Sequence, residues 1–199
     1  MPSAPRAEPA LDGRARRSER SREAIVQALF DLVGRGVLQP TAQQVAETAG
    51  VGIRSVFRHF ADMESLFVAM DARLQAEAVP ILRGDPIAGS VAKRVRALAD
   101  RRIDFFERIG PYKRSATVQR WRSAFLQRQH GVLVRELRAD LLRWLPELRR
   151  APADLADALE LALSFEAWDR LRSEQRLGRE RARAALVRTA LAIVTPVAG

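Results

Sequence analysis

Cysteine is absent from these 199 residues. That excludes disulfides, thiolate metal sites and thiol redox sensing. Histidine occurs only at His59 and His130, too few and too far apart to suggest a metal centre. No apolar run approaches the ~20 residues that span a bilayer, so no membrane partner is expected. The N-terminus has no signal-peptide core, and the expected location is the cytoplasm. Neither a phosphate-cradling glycine loop nor a nucleophile elbow is present. The chain is therefore not read as an enzyme, and no catalytic residue, metal or cofactor is assigned. Lysine is confined to Lys93 and Lys113, which leaves arginine to supply nearly all the positive charge.

What is present is enough for one large domain or two small ones, with 47% apolar residues to build a core. The net charge of +10 suggests a polyanionic partner, but its distribution is uneven. Residues 1–70 hold nine basic and eight acidic side chains, so +9 lies beyond them. Bulk charge is thus weak support for nucleic-acid binding. The local arrangement of Arg14 to Arg22 with Arg54 and Arg58 is the stronger indication.

Residues 41–60, TAQQVAETAGVGIRSVFRHF, read as two short helices joined by a glycine-containing turn. Thr41 has the side-chain oxygen favoured at a helix N-cap. Val45, Ala46 and Ala49 follow at i, i+1, i+4 and give a narrow apolar face, with alanines small enough for a second helix to cross closely. Gly50 stands where the first helix must stop in the left-handed conformation. The second helix spans about Ile53 to Phe60. Its spacing turns Val56, Phe57 and Phe60 inward and leaves Arg54, Ser55, Arg58 and His59 outside, a face with cations and donors but no carboxylate. Such a face suits a helix in the major groove.

The run VAETAGV…SVFRHFADMESLF resembles the DNA-binding domain of the TetR family of bacterial transcription regulators, over roughly residues 20–70. The resemblance implies that Thr41 caps its helix and faces a phosphate. It places Gln43 against the backbone or an outer base, and brings Arg54 and Ser55 to base edges. Arg58 and His59 are set to meet phosphate, although for His59 a packing role stands beside that one. The sequence departs from the family pattern at Phe57, where a Tyr is usual, and at Met63, where a Lys commonly opens the next helix. Phe57 keeps ring packing or a thymine-methyl contact. Compensation is expected from RARRSERSR at 14–22, five arginines against one glutamate, lying along the DNA or in the minor groove.

The remaining sequence reads as helix almost throughout, so the expected fold class is all-α with about nine helices. A flexible basic arm over 1–20, with a solvated tail at 1–13, precedes a three-helix helix-turn-helix domain over 21–79. A helical bundle for effector binding and dimerisation follows over 80–199. The first helix is expected from about Ser21 to Val33. Asp62 is a plausible cap for a helix reaching Ala78, before Pro80, Gly84 and Pro86 break the chain. The next helix is stopped by Gly110-Pro111, and another is capped by Ser123 and ended at Pro146. Leu155–Leu171 is read as one helix with Leu159, Leu161, Leu163, Phe165 and Trp168 around much of its circumference. The final helix repeats Ala182, Ala185, Leu186, Thr189 and Ile193. Two helices this apolar fit a four-helix interface with a second subunit, or cover within one chain.

The resemblance implies a regulator that binds a double-stranded palindromic operator as a homodimer, through the last two helices, and is released by a small lipophilic or aromatic effector. The candidate effector pocket is lined by Phe105, Phe106, Trp121, Phe125, Phe165 and Trp168, each of which also suits plain core packing. Glu166 and Asp169 are candidates to orient a polar group. An effector-independent or architectural DNA-binding protein is the alternative. When bound to DNA the protein is expected on the nucleoid.

Overall fold

The computed structural model describes residues 10–194, so part of the tail expected over 1–13 lies outside the described residues. Nine α-helices and no strand are found among those residues. They are α1 (Ala10–Gly34), α2 (Ala42–Ala49), α3 (Ile53–His59), α4 (Met63–Leu82), α5 (Val91–Gln119), α6 (Ala124–Trp144), α7 (Ala153–Ala162), α8 (Phe165–Asp169) and α9 (Arg179–Val194). The fold is all-α. The chain divides into two compact units, one ending at Arg73 and one beginning at Leu74, so the division falls within α4.

In the first unit α1 packs on α2 and α3. It buries Ile25, Ala28, Leu29, Leu32 and Val33 at helical spacing, and Val45, Ala46, Val56 and Phe60 are buried from the two short helices. Leu66, Phe67 and Met70 are buried along the first half of α4. That helix starts at an Asp62 cap: the Ser65 amide donates to Asp62 Oδ1 at 2.7 Å, and the Ser65 hydroxyl to the Asp62 carbonyl at 2.8 Å. α1 begins much earlier than Ser21, at Ala10. Its extension has no proline or β-branched residue, and its Ala, Leu, Arg and Glu offset Asp12, Gly13 and Ser18 in propagating a helix from the packed half that nucleates it. Arg14 to Arg22 therefore stand on a helix.

The second unit is organised around α5, which packs against α6, α8 and α9, while α7 packs against α6 and α9. Its core joins Leu98, Ile103 and Phe106 of α5 to Leu141 and Trp144 of α6, Leu159 of α7, Phe165 and Trp168 of α8, and Leu186 and Ala190 of α9. Serine caps set three starts. Ser90, Ser123 and Ser164 accept backbone N–H bonds from Lys93 at 3.3 Å, Leu126 at 3.1 Å and Ala167 at 3.1 Å.

Three sequence expectations are corrected here. α5 runs straight through Gly110-Pro111 to Gln119, followed by a 3₁₀ turn at Arg120–Arg122. A mid-helix proline costs about 3 kcal/mol, but Phe105, Phe106, Ile109 and Tyr112 are all buried on either side of it, and their burial offsets that. Pro80 likewise lies inside α4 rather than beyond it. Leu155–Leu171 is not one helix: α7 ends at Ala162, and Ser164 restarts the chain as α8, which passes into a π-helical turn at Arg170–Glu174. The restart redirects the chain, so Leu159, Leu163, Phe165 and Trp168 all reach the same core. Leu161, the fifth of the large apolar residues expected around that helix, is left 67% exposed.

On α9 the buried stripe is Ala182, Leu186, Val187, Ala190 and Val194, with Thr189 outside. The alanine-rich sequence allows either register, and packing on α5 selects this one.

Ion pairs between arginines and carboxylates tie the helices of this unit together. Arg183 grips Asp100 through Nε and Nη2 at 2.5 and 2.8 Å, and Arg179 pairs with Asp104, both tying α9 to α5. Arg101 meets Asp140 at 2.7 Å, Arg114 meets Asp169 at 2.9 Å, Arg172 meets Glu107 at 2.9 Å, and Arg94 meets Glu147. Each pair takes one cation and one carboxylate, so the pairs leave the net excess of arginine unchanged.

Arg102, which the sequence did not single out, is fully buried. Its guanidinium donates to the Leu163 carbonyl at 3.0 Å, beyond the end of α7, and to the Leu137 carbonyl of α6. Burial lowers its pKa to about 10, against the pull of Asp140 and Glu160.

Candidate nucleic-acid interface

The reading unit is built from its caps outward. Thr41 Oγ1 accepts the Gln44 amide at 3.2 Å, while Gln44 Oε1 accepts the Thr41 amide at 2.9 Å. This reciprocal capping box satisfies two amides at once. It occupies both the Thr41 N–H and its hydroxyl, which donates to Gln44 Oε1 at 3.3 Å as well as accepting the Gln44 amide. At the other end of α2, Gly50 has φ +66° and ψ +31° and donates its N–H to Ala46 and Glu47 carbonyls. The left-handed residue lets the chain reverse within a short turn, and Val51 N donates to Ala46 O at 3.0 Å to complete it. Gly52 then leads into α3 in extended conformation.

The outer face of α3 carries Arg54 and Arg58 as one i, i+4 column, both exposed. Arg58 Nη2 donates to Ser55 Oγ at 3.2 Å, which steadies the guanidinium beside the half-buried serine. Next to this column runs a second one, Ile53 and Phe57, 39% and 50% exposed. Phe57 therefore does not turn inward as its spacing had implied. Val56 and Phe60 are sufficient to bury the inner side, and the intervening ring is left in solvent. Ile53 is an addition that sequence reading missed. Its signal was present, since it stands four residues before Phe57 and shares its face.

His59 is half-buried, with Nε2 enclosed and without a partner, so the structure turns part of this ring toward the protein. Gln43 is exposed on α2, and its amide donates to Glu47 Oε1 at 2.7 Å. Arg22, the last of the five arginines on α1, stacks over the Phe60 ring at 5.2 Å from its centroid and lies 3.9 Å from Glu19. It serves the fold of this unit, while Arg14, Arg16, Arg17 and Arg20 are exposed.

The candidate effector residues divide into two sets. Phe105, Phe106, Phe165 and Trp168 are buried together in the core of the second unit. Phe106 meets Phe105 and Phe165 at centroid distances of 5.8 Å, the latter edge-on, and Trp168 Nε1 donates to Glu107 Oε1 at 3.1 Å. Trp121 is 68% exposed with Arg122 stacked on it at 4.1 Å, and Phe125 is half-buried. Asp169 is held by Arg114 and accepts from Ser173, whereas Glu166 is exposed. Among the described residues, no group of acidic or histidine side chains is arranged to hold a metal ion, and no helix is long and apolar enough to cross a membrane.

Residues 21–70 match the family model of the bacterial regulatory proteins, tetR family. The fold of the whole chain is similar to that of a transcriptional regulator from Rhodococcus sp. Rha1, with a TM-score of 0.66 and 20% identity over 90% of this chain and 96% of the other. No curated protein matches the chain. The capped α2, the left-handed glycine turn and the cationic α3 are the features that the matched segment encloses, and the match of residues 21–70 supports a DNA-binding transcriptional regulator of the tetR family of bacterial regulatory proteins.

Proposed function

We propose that this regulator is a repressor that binds a palindromic operator as a homodimer and is released by a small effector held in the second unit. The observation that carries the DNA reading is the pair of columns on α3. Arg54 and Arg58 present guanidinium donors, and Ile53 and Phe57 present apolar surface beside them. An arginine reads guanine through O6 and N7, and an apolar side chain reads the thymine methyl. The preferred half-site then contains guanine next to thymine. Thr41, Gln43, Ser55 and His59 flank these columns as backbone or edge contacts. Arg14 to Arg20, on the helical start of α1, supply sequence-independent charge.

Dimerisation falls to the last two helical segments, α7–α8 and α9, where Leu161 is exposed and α9 turns Thr189 outward. A two-fold there pairs two reading heads for a palindrome. The protein acts in the cytoplasm.

An effector-independent DNA-binding role is the second reading. The burial of Phe105, Phe106, Phe165 and Trp168 in the core favours it, because those rings already have partners.

Operator binding by two variants tests the recognition face. Arg54→Ala should relax base preference at one position per half-site by about 1–3 kcal/mol. Arg58→Ala should weaken binding to all sequences alike and reduce the salt slope by about one unit. Parental binding by both variants at every salt concentration would show that α3 does not read the operator. Compounds that leave operator affinity unchanged across a broad screen would favour the second reading.

A further inference from the structure

Many arginines of the second unit are paired with carboxylates, and one contact instead joins two basic side chains. Lys113 of α5 and His130 of α6 meet at 2.6 Å, Nζ to Nδ1. Neither side chain has a carboxylate within ion-pair distance among the described residues. Lys113 is half-buried, and its ammonium lies 6.0 Å from the centroid of the Phe165 ring. Two basic groups facing each other across two helices, against an aromatic ring, form an incomplete electrostatic arrangement.

The charged groups acting on His130 are Lys113, Arg120 in the turn after α5, and Glu166 on α8. Two of the three are positive. Glu166 is exposed and makes no ion pair with either base, so its pull on them acts at a distance. Burial and the Lys113 charge hold the imidazole below its ordinary range, and burial does the same to the Lys113 ammonium. With Nδ1 accepting from the ammonium, the neutral imidazole keeps its own proton on Nε2.

We propose that Lys113 and His130 form the binding site for an organic carboxylate whose apolar body lies against Phe165. The site rests on the effector reading given above and names the chemical class of that effector. On binding, the Lys113 ammonium turns from the imidazole to one carboxylate oxygen. The imidazole takes one proton from solvent at Nδ1 and donates it to the other oxygen. The two side chains then make a two-pronged donor set for a two-oxygen acceptor, in a partly desolvated place where charge-assisted hydrogen bonds are strong. Binding takes up a proton, so it tightens as pH falls from neutral through the ordinary histidine range.

His59 and His130 are the only histidines, so the imidazole C2–H resonances of the full-length protein can be followed one by one by NMR and assigned with His130→Gln. The probes are sodium benzoate and sodium decanoate, each against its neutral counterpart, benzamide or decanol, at millimolar concentration. The carboxylates should raise the pKa of His130 and leave His59 unmoved, and the neutral compounds should not. Lys113→Met should weaken binding on the order of tenfold, as expected for the loss of one charge-assisted hydrogen bond. Lys113→Arg should restore most of it, which a merely structural role of Lys113 would not require.

Failure of both carboxylates to move His130, or an equal response to the neutral compounds, overturns the proposal. Carboxylates that bind at His130 without changing operator affinity would leave the site standing and remove the effector role. Neutral compounds that release the operator without moving His130 would leave the effector role standing and remove this site.

Discussion

Gly50 fixes the turn on which the reading unit depends, and its replacement separates backbone strain from steric fit. At φ +66° it occupies the left-handed region, and a Cβ built there meets no atom within 4 Å. Any loss in Gly50→Ala is therefore conformational rather than a clash. An L-residue in that region costs about 1–2 kcal/mol, and the smaller entropy of the unfolded alanine chain returns about 0.4–1 kcal/mol. The net expectation is a destabilisation of about 1 kcal/mol, or about 4–8 °C in midpoint for a unit of this size. Gly50→Asn should lose less, because asparagine tolerates the left-handed conformation. Circular dichroism follows both units, while Trp121, Trp144 and Trp168 all lie in the second, so fluorescence reports on that unit separately. The reasoning is refuted if Gly50→Ala is as stable as the parent, or if Gly50→Asn loses as much as Gly50→Ala.

Two further outcomes follow from the caps and pairs. Thr41→Ala removes the capping box and should destabilise the first unit by about 1 kcal/mol, whereas Thr41→Ser should retain most of that, in the same unfolding experiment. Glu147 is held below its ordinary pKa of 4.5 chiefly by the hydrogen bond from Arg94, which also donates to the Trp144 carbonyl at 2.9 Å. Its folded-state pKa is depressed, so the stability it contributes is present above the ordinary carboxylate range and lost as pH falls through the folded value. Glu147→Gln should flatten the acid limb of a stability–pH curve read by tryptophan fluorescence, and an unchanged limb would remove the Arg94–Glu147 pair from the account.

The reading unit was legible because its signals are local. Thr41, Gly50, Asp62 and the Val45-Ala46 spacing each act within a few residues, and each does in the structure what its chemistry implies. Phe57 was misjudged because i, i+1, i+4 spacing defines a sector of a helix, not which of its residues the neighbouring elements reach. Val56 and Phe60 filled the interior without it.

Farther along, tertiary contacts override local rules. Pro111 sits inside α5 because the flanking residues are buried, and Ser164 breaks a stretch whose apolar residues alone read as continuous helix. Arg102 had no readable signal, since an arginine among many others reveals its burial only when Leu137 and Leu163 are brought around it. Lys113 and His130 are seventeen residues apart, and only the antiparallel contact of α5 with α6 puts them together.

Selection of bound fragments from sheared host DNA, sequenced at two salt concentrations, tests the central claim most directly. The account predicts a recovered palindrome whose half-sites set guanine next to thymine and whose enrichment survives the higher salt. Diffuse recovery that vanishes with salt would contradict it, since the two columns on α3 would then be adding charge without reading sequence.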